Sequence, residues 1–118
     1  MNLGKAPSRR LISRIEVSDD IWVYWNCKGR EDVSRIRDLS PRGLFIETPR
    51  QFPAKSETKL HFLVQEGEIS AQAVICHNRP RTGLGMKFVS VREDHHRRLA
   101  ALISRLRGMN PFTDKSRP

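Results

Sequence analysis

The sequence contains only two cysteines, no export signal and no long apolar run. Cys27 and Cys76 are not part of a C-x-x-C motif, and no histidine lies at metal-ligand spacing from them. The first ten residues, MNLGKAPSRR, lack the apolar region of a signal peptide, so two reduced thiols are expected rather than a disulfide. The apolar runs are far too short to cross a membrane. These absences predict a cytoplasmic protein with no membrane insertion and no metal site.

Acidic residues are scarce at both ends of the chain. Residues 1–14 contain four basic side chains and no acidic one, and residues 92–118 contain seven basic and three acidic side chains. The segment between them is almost neutral, so most of the net charge of +9 belongs to the two terminal segments. A basic chain suggests a polyanionic partner, either a nucleic acid, a nucleotide or a membrane surface. The same charge could also do no more than keep the protein soluble.

The composition and the apolar pattern predict one small β-rich domain. A chain of 118 residues, 37% apolar and 30% charged, fits a single soluble domain with a modest core. Alternation of apolar and polar residues predicts strands at 15–17, 21–26, 33–37, 43–48, 59–65, 69–75 and 84–89. The alternation breaks near Val33 and Ile36, where a bulge or twist is expected.

The apolar spacing becomes helical after the last strand. Ser90 and Glu93 have the spacing of a capping box, and Gly108 fits a C-terminal cap. Between them an apolar stripe recurs at helical spacing: Leu99, Leu102, Ile103 and Leu106. The expected fold is mainly β, a small six-stranded antiparallel β-barrel closed by a C-terminal α-helix, over residues 9–108. Residues 1–8 are expected to form a flexible basic arm and residues 109–118 a flexible tail.

The segment DLSPRG, residues 38–43, interrupts the strands with two small acceptor side chains and a glycine. Ser40 followed by Pro41, an arginine and Gly43 suits a type I turn, and Asp38 can accept nearby backbone N–H groups. A carboxylate at Asp38 can also accept hydrogen bonds from N1–H and the amino group of guanine. Ser40 would add a hydroxyl on the same side of the strand. The segment therefore suits a turn alone or a turn that holds a ligand.

A second motif, R-x-x-x-R, lies upstream at Arg10 and Arg14 within RRLISR. A guanidinium group binds phosphate through two hydrogen bonds, stacks on a nucleobase and matches the O6 and N7 acceptors of guanine. Together with Asp38 and Ser40, these arginines suit an anionic ligand that carries phosphates and guanine edges.

The two motifs resemble those of the PilZ domain family, which binds the bacterial second messenger cyclic di-GMP. The family is marked by an R-x-x-x-R segment followed by a [D/N]-x-S-x-x-G segment, and RRLISR and DLSPRG occur in that order and at the family's spacing. The segment GLGMKF, residues 83–88, is similar to the family's late barrel strand, and a closing helix is expected after it. The resemblance covers about residues 8–107.

The resemblance implies a ligand site. Arg10 and Arg14 would clamp the phosphates and guanine edges of cyclic di-GMP. Asp38 and Ser40 would bind the second guanine and nearby phosphate oxygens, and Gly43 would shape the turn.

Three further residues extend this site. By the same resemblance, the presence of Arg9 just before the first motif implies that two stacked ligand molecules bind per protomer rather than one. His77 or Arg79, on the late strands, are candidates for the pocket wall. The resulting protein would be a receptor that passes a signal to a downstream protein partner.

Two other functions fit parts of the sequence. A basic barrel with exposed Trp22, Tyr24 or Trp25 could stack the bases of RNA or DNA. The basic residues, however, gather at the termini, and about half of these aromatic residues are expected in the core, so nucleic acid is the less favoured partner. The second alternative is a degenerate PilZ domain that acts only as a protein-interaction module.

Catalysis is not expected. Neither Asp38 with Ser40 nor His95 with His96 forms a set of nucleophile, base and orienting group. The two histidines are adjacent on the expected helix, point to different faces and are predicted to be solvated. No catalytic residue and no cofactor other than the ligand itself is predicted.

Overall fold

The computed structural model describes residues 15–17 and 20–109, which form seven strands and one α-helix. The strands are β1 (Ile15–Glu16), β2 (Trp22–Cys27), β3 (Arg30–Ser40), β4 (Gly43–Glu47), β5 (Glu57–Leu63), β6 (Ile69–Arg79) and β7 (Gly83–Val91). A 3₁₀ turn, Glu93–His95, leads into the helix α1, His96–Met109. The arm expected over residues 1–8 lies outside the described residues, as do residues 110–118 of the tail expected over 109–118, whereas Met109 belongs to the helix.

Six of the strands close into an antiparallel barrel. Their order is β3-β2-β5-β6-β7-β4, and β4 pairs back onto β3. The short strand β1 adds a seventh member alongside β3. The predicted six-stranded barrel with a C-terminal helix is therefore confirmed. So is the predicted bulge, because the register between β3 and β4 shifts between Ile36 and Asp38.

Strand alternation and the helical stripe supply the core. Val23 and Trp25 of β2 point inward with alternate residues of the other strands, and the four stripe residues of α1 are buried against them. Burying a large apolar side chain contributes roughly 1.5–3 kcal/mol. The indole Nε1 of Trp25 donates to the hydroxyl of Ser34 at 2.9 Å, so the buried ring keeps its polar group satisfied.

The start of the helix differs from the prediction. Ser90 lies within β7, because β7 remains paired with β6 as far as Val91. The 3₁₀ turn follows Arg92 and has no side-chain cap, so the capping-box prediction is wrong. At the other end Gly108 lies inside α1, which continues to Met109. None of the described residues forms a helix long and apolar enough to cross a membrane.

His95 is buried rather than solvated. Its exposed fraction is 2%, and its Nδ1 accepts a hydrogen bond from the backbone N–H of Ser70 at 3.0 Å. The 3₁₀ turn places His95 against the start of β6, whereas His96 is exposed. The prediction of a solvated surface is thus confirmed for His96 and wrong for His95.

Candidate functional site

A cleft of about 340 Å³ lies on the outside of the barrel where β3, β4, β6 and β7 meet. Its lining includes Asp38, Ser40 and Gly43, three of the residues predicted to bind ligand. His77, predicted as a candidate for the pocket wall, lines it as well. The other predicted site residues, Arg9, Arg10 and Arg14, lie outside the residues that the structure describes.

The DLSPRG segment forms a tight connection between β3 and β4. The hydroxyl of Ser40 accepts hydrogen bonds from the backbone N–H groups of Arg42 at 3.1 Å and Gly43 at 3.3 Å. Leu39 is buried in the core, so its neighbours Asp38 and Ser40 face outward on the same side, as predicted. The hydroxyl therefore stabilises the turn and still borders the cleft.

Gly43 is required by the packing of the barrel itself. A Cβ atom at this position would lie 2.0 Å from the backbone oxygen of Met86 on β7. The backbones of β4 and β7 approach too closely there for any side chain. The glycine of the motif thus shapes the floor of the cleft, whatever binds in it.

One row of residues crosses four strands along the cleft. The strand registers pair Asp38 with Phe45, Phe45 with Gly85, and Gly85 with His77. The rings of Phe45 and His77 stack with centroids 6.3 Å apart and an interplanar angle of 29°. The row therefore places a carboxylate, the buried ring of Phe45 and the exposed ring of His77 side by side.

Two glycines of β7 make room for these rings. A Cβ atom on Gly85 would lie 2.5 Å from Nε2 of His77, and one on Gly83 would lie 2.6 Å from Cε1 of Phe45. Each ring therefore lies over a strand position that has no side chain. Phe45 and the two glycines were not predicted as site residues from the sequence. Their signal is an outward aromatic in GLFIET and glycines at alternate positions in GLGMKF.

The charge around the cleft is mainly positive. Arg42 and Lys87 line it, and the guanidinium carbons of Arg37 and Arg79 lie 5.5 and 5.3 Å from the centroid of the Phe45 ring. Asp38 is the one carboxylate among the lining residues that the structure describes. A ligand that combines negative charge with planar rings suits this surface.

The comparison with protein families gives a clear result. The family model described as PilZ domain matches residues 8–105. This chain belongs to the PilZ domain family. The family is one of ligand-binding regulatory modules rather than of enzymes.

Solved PilZ structures share this fold. K. pneumonia MrkH in its apo state has a TM-score of 0.62 and 19% identity, over 79% of this chain and 49% of MrkH. The PilZ domain of CeSA from a cellulose-synthesizing bacterium has a TM-score of 0.62 and 16% identity, over 79% of this chain and 96% of that one. The Borreliella burgdorferi PlzA protein, solved in complex with c-di-GMP, has a TM-score of 0.60 and 16% identity, over 84% of this chain and 45% of PlzA.

These identities establish the fold alone, and this PilZ domain spans about half the length of MrkH. A search of curated protein sequences finds no match.

Two carboxyl groups with a lowered pKa lie away from the cleft in the described part of this PilZ domain. Hydrogen bonds from Arg50 and Arg105 hold the pKa values of Asp32 and Glu66 below their usual range, but neither carboxyl lines the cleft. Residues 15–17 and 20–109 contain no group of three or more histidine, cysteine or acidic side chains that could hold a metal ion. Cys76, which lines the cleft, is a free, exposed thiol.

The aromatic residues considered for base stacking divide between core and surface. Trp25 is fully buried, Tyr24 is half-buried, and Trp22 is 41% exposed. Tyr24 borders a separate cleft with His61 and Arg92, away from DLSPRG. The expectation that the core takes part of this cluster is confirmed.

Proposed function

We propose that this PilZ domain is a cytoplasmic receptor for cyclic di-GMP. The ligand would bind between the arginines of RRLISR and the cleft at DLSPRG, without catalysis, and the complex would signal to a downstream protein partner. Three findings support this: family membership, the presence of both motifs, and a neighbouring fold, PlzA, solved in complex with c-di-GMP. MrkH, another neighbour, is described as a c-di-GMP-dependent transcription regulatory factor.

The observation that carries the proposal is the register of β1 against β3. Ile15 pairs with Leu39, and Glu16 pairs with Asp38. The residue that follows Arg14 therefore lies beside the DLSPRG turn, although the two motifs are far apart in sequence. The segment from Arg10 to Ile15 is short. In an extended conformation, at roughly 3.3–3.6 Å per residue, it would still be long enough to span the cleft.

The chemistry of the cleft matches the parts of the ligand. Asp38 accepts hydrogen bonds from N1–H and the amino group of a guanine, and Ser40 lies next to it on the outer face. The exposed ring of His77, which stacks on the buried ring of Phe45, offers a flat surface to a planar base. Arg10 and Arg14 supply the positive charge that the two phosphates need, through paired N–H donors.

Ligand binding also suggests how the signal is transmitted. A ligand held by both the arginines before Ile15 and the cleft would fix that segment across β3 and β4. The surface offered to a partner would then differ between the free and the bound protein. Arg9 adds a third guanidinium to this segment, and we expect it to stack on a second ligand molecule.

Calorimetric titration with cyclic di-GMP, in parallel with GTP and a short single-stranded RNA, tests the proposal. We expect saturable binding of cyclic di-GMP alone, with two molecules per protomer. Arg14→Ala and Asp38→Ala should each abolish it, whereas Arg30→Gln, which removes a cation from the far end of β3, should not. Salt-sensitive RNA binding without cyclic di-GMP binding would instead make the domain a nucleic-acid module.

A further inference from the structure

We infer that Arg37 and Arg79 form a second phosphate-binding position on the barrel wall, separate from the RRLISR arginines. This inference rests on the proposed function and adds to it a contact that neither family motif contains. The ligand group at this position would be a phosphodiester oxygen of the same cyclic dinucleotide whose guanine lies at Asp38.

The two guanidinium groups share one aromatic support. They lie 5.5 Å (Arg37) and 5.3 Å (Arg79) from the centroid of Phe45, within the range of a cation–π contact. Phe45 is 4% exposed although it lies on the outside of the barrel, because its neighbours cover it. Two like charges gathered at one ring repel each other, and a bound anion would relieve that repulsion.

Neither cation is neutralised by a carboxylate within the described residues. Arg35, Arg50 and Arg105 each form an ion pair with an acidic side chain there, whereas Arg37 and Arg79 form none. Glu47, the next outward residue after Phe45 on β4, accepts a hydrogen bond from Arg35 at 3.0 Å. The positive charge of the pair is therefore available to a ligand.

Two local irregularities direct these arginines to the ring. The register between β3 and β4 shifts between Ile36 and Asp38, so Arg37 is the extra residue of the bulge and lies beside the ligand-binding carboxylate. Arg79 pairs with Gly83 at the end of β6, and the ring of Phe45 lies over that glycine, where Arg79 can reach it. The bulge and the glycine position thus each place a guanidinium group next to the cleft and outside the core.

The arrangement predicts which ligands bind well. Phe45 pairs with Asp38, so a guanine edge at the carboxylate places the rest of the molecule close to the two guanidinium groups. A guanine dinucleotide with phosphodiester groups would contact both Asp38 and the Arg37–Arg79 pair. Guanosine, which has no phosphate, would contact only Asp38. Affinity for the dinucleotide should therefore fall with ionic strength, and part of that fall should depend on Arg37 and Arg79.

The test is calorimetry of the full chain with cyclic di-GMP at two salt concentrations. Arg37→Gln and Arg79→Gln remove the charge but keep a polar side chain, and Arg30→Gln is the matched control with one exposed cation fewer. Each cleft variant should weaken binding roughly tenfold, the usual effect of a charged hydrogen bond. Each should also reduce the salt dependence of the affinity for cyclic di-GMP, whereas Arg30→Gln should match the wild type.

A second readout locates the contact. The Nε–Hε NMR signals of Arg37 and Arg79 should shift on titration, and the signal of Arg30 should not. Wild-type binding with unchanged affinity in both cleft variants would overturn this inference and leave the proposed function intact. Failure of the wild-type chain to bind cyclic di-GMP would overturn the proposed function, and this inference with it.

Discussion

At the scale of single residues, the cleft depends on two glycines of β7 with different surroundings. A Cβ atom at Gly83 would meet the backbone oxygen of Ile46 at 2.0 Å, and one at Gly85 would meet the exposed ring of His77. Gly83→Ala should therefore cost about 3 kcal/mol, at the upper end of overpacking penalties, because a backbone atom cannot move aside.

Gly85→Ala should leave stability within about 1 kcal/mol of the wild type, because the His77 ring can rotate away. The same rotation removes a wall of the cleft, so affinity for cyclic di-GMP should fall severalfold. Thermal unfolding and calorimetry of both variants check this pair. Equal destabilisation of the two variants would contradict the prediction.

A second residue-scale prediction concerns the adjacent histidines. His95→Leu keeps apolar bulk in the buried site but removes the acceptor for the Ser70 N–H, so we expect a loss of about 1–2 kcal/mol. His96→Leu changes an exposed side chain and should stay within about 0.5 kcal/mol of the wild type. Urea unfolding of the two variants measures the difference. Similar midpoints would mean that the His95 hydrogen bond contributes little.

At the scale of elements, an ion pair between Arg105 and Glu66 links α1 to the turn between β5 and β6. Arg105 Nη2 donates to Oε1 of Glu66 at 3.0 Å, and Nε donates to Oε2. This charged hydrogen bond holds the pKa of the Glu66 carboxyl below its usual value of 4.5. Because the pKa is lower in the folded state, the pair stabilises the protein above about pH 4.5 and loses that effect as pH falls through the folded pKa.

Glu66→Gln should therefore destabilise the protein at pH 7 and make less difference at pH 3. Chemical denaturation of the wild type and the variant at the two pH values measures this. Glu68→Gln, two residues away on an exposed side chain, removes the same charge but leaves the Arg105–Glu66 pair in place and is the matched control. A stability difference that is the same at both pH values would argue against the pair as the cause.

Features of the strands and the helix that depend on local sequence were predicted, whereas those that depend on contacts between elements were not. Strand alternation and helical spacing are local, so the strands and the apolar stripe of α1 were predicted, and the motif residues Asp38 and Ser40 were predicted to share a face. The errors at Ser90 and His95 have a non-local cause, the continued pairing of β7 with β6 and the packing of the 3₁₀ turn on β6.

The row from Asp38 to His77 was missed for the same non-local reason. Its members become neighbours only through the registers of β3 with β4, β4 with β7 and β7 with β6. No spacing within one strand indicates that Phe45 lies between a carboxylate and an imidazole. His77 was proposed from the family resemblance, but its stacking partner was not.

At the scale of the whole molecule, barrel closure brings the DLSPRG segment close to Arg37 and Arg79. β1 joins β3 on one side and β4 joins it on the other, so Ile15 and the cleft meet at the end of β3. A ligand bound there connects parts of the chain that are distant in sequence. Such a ligand should therefore oppose unfolding of the domain as a unit.

Cyclic di-GMP should thus raise the thermal unfolding midpoint of the full chain. A ligand at a concentration 100-fold above its Kd stabilises the folded state by about 2.7 kcal/mol. For a domain of about this size, where 1 kcal/mol corresponds to at least about 4 °C, the expected shift is about 10 °C. Differential scanning calorimetry with increasing ligand measures it.

The matched variants separate a specific shift from a general charge effect. Arg30→Gln lowers the net charge without touching the cleft and should show the full wild-type shift. Asp38→Ala keeps every cation of the cleft and loses the acceptor for guanine, so it should show almost none. An equal shift in Asp38→Ala, or an equal shift with GTP in the wild type, would mean that the positive surface attracts nucleotides without recognising the cyclic dinucleotide.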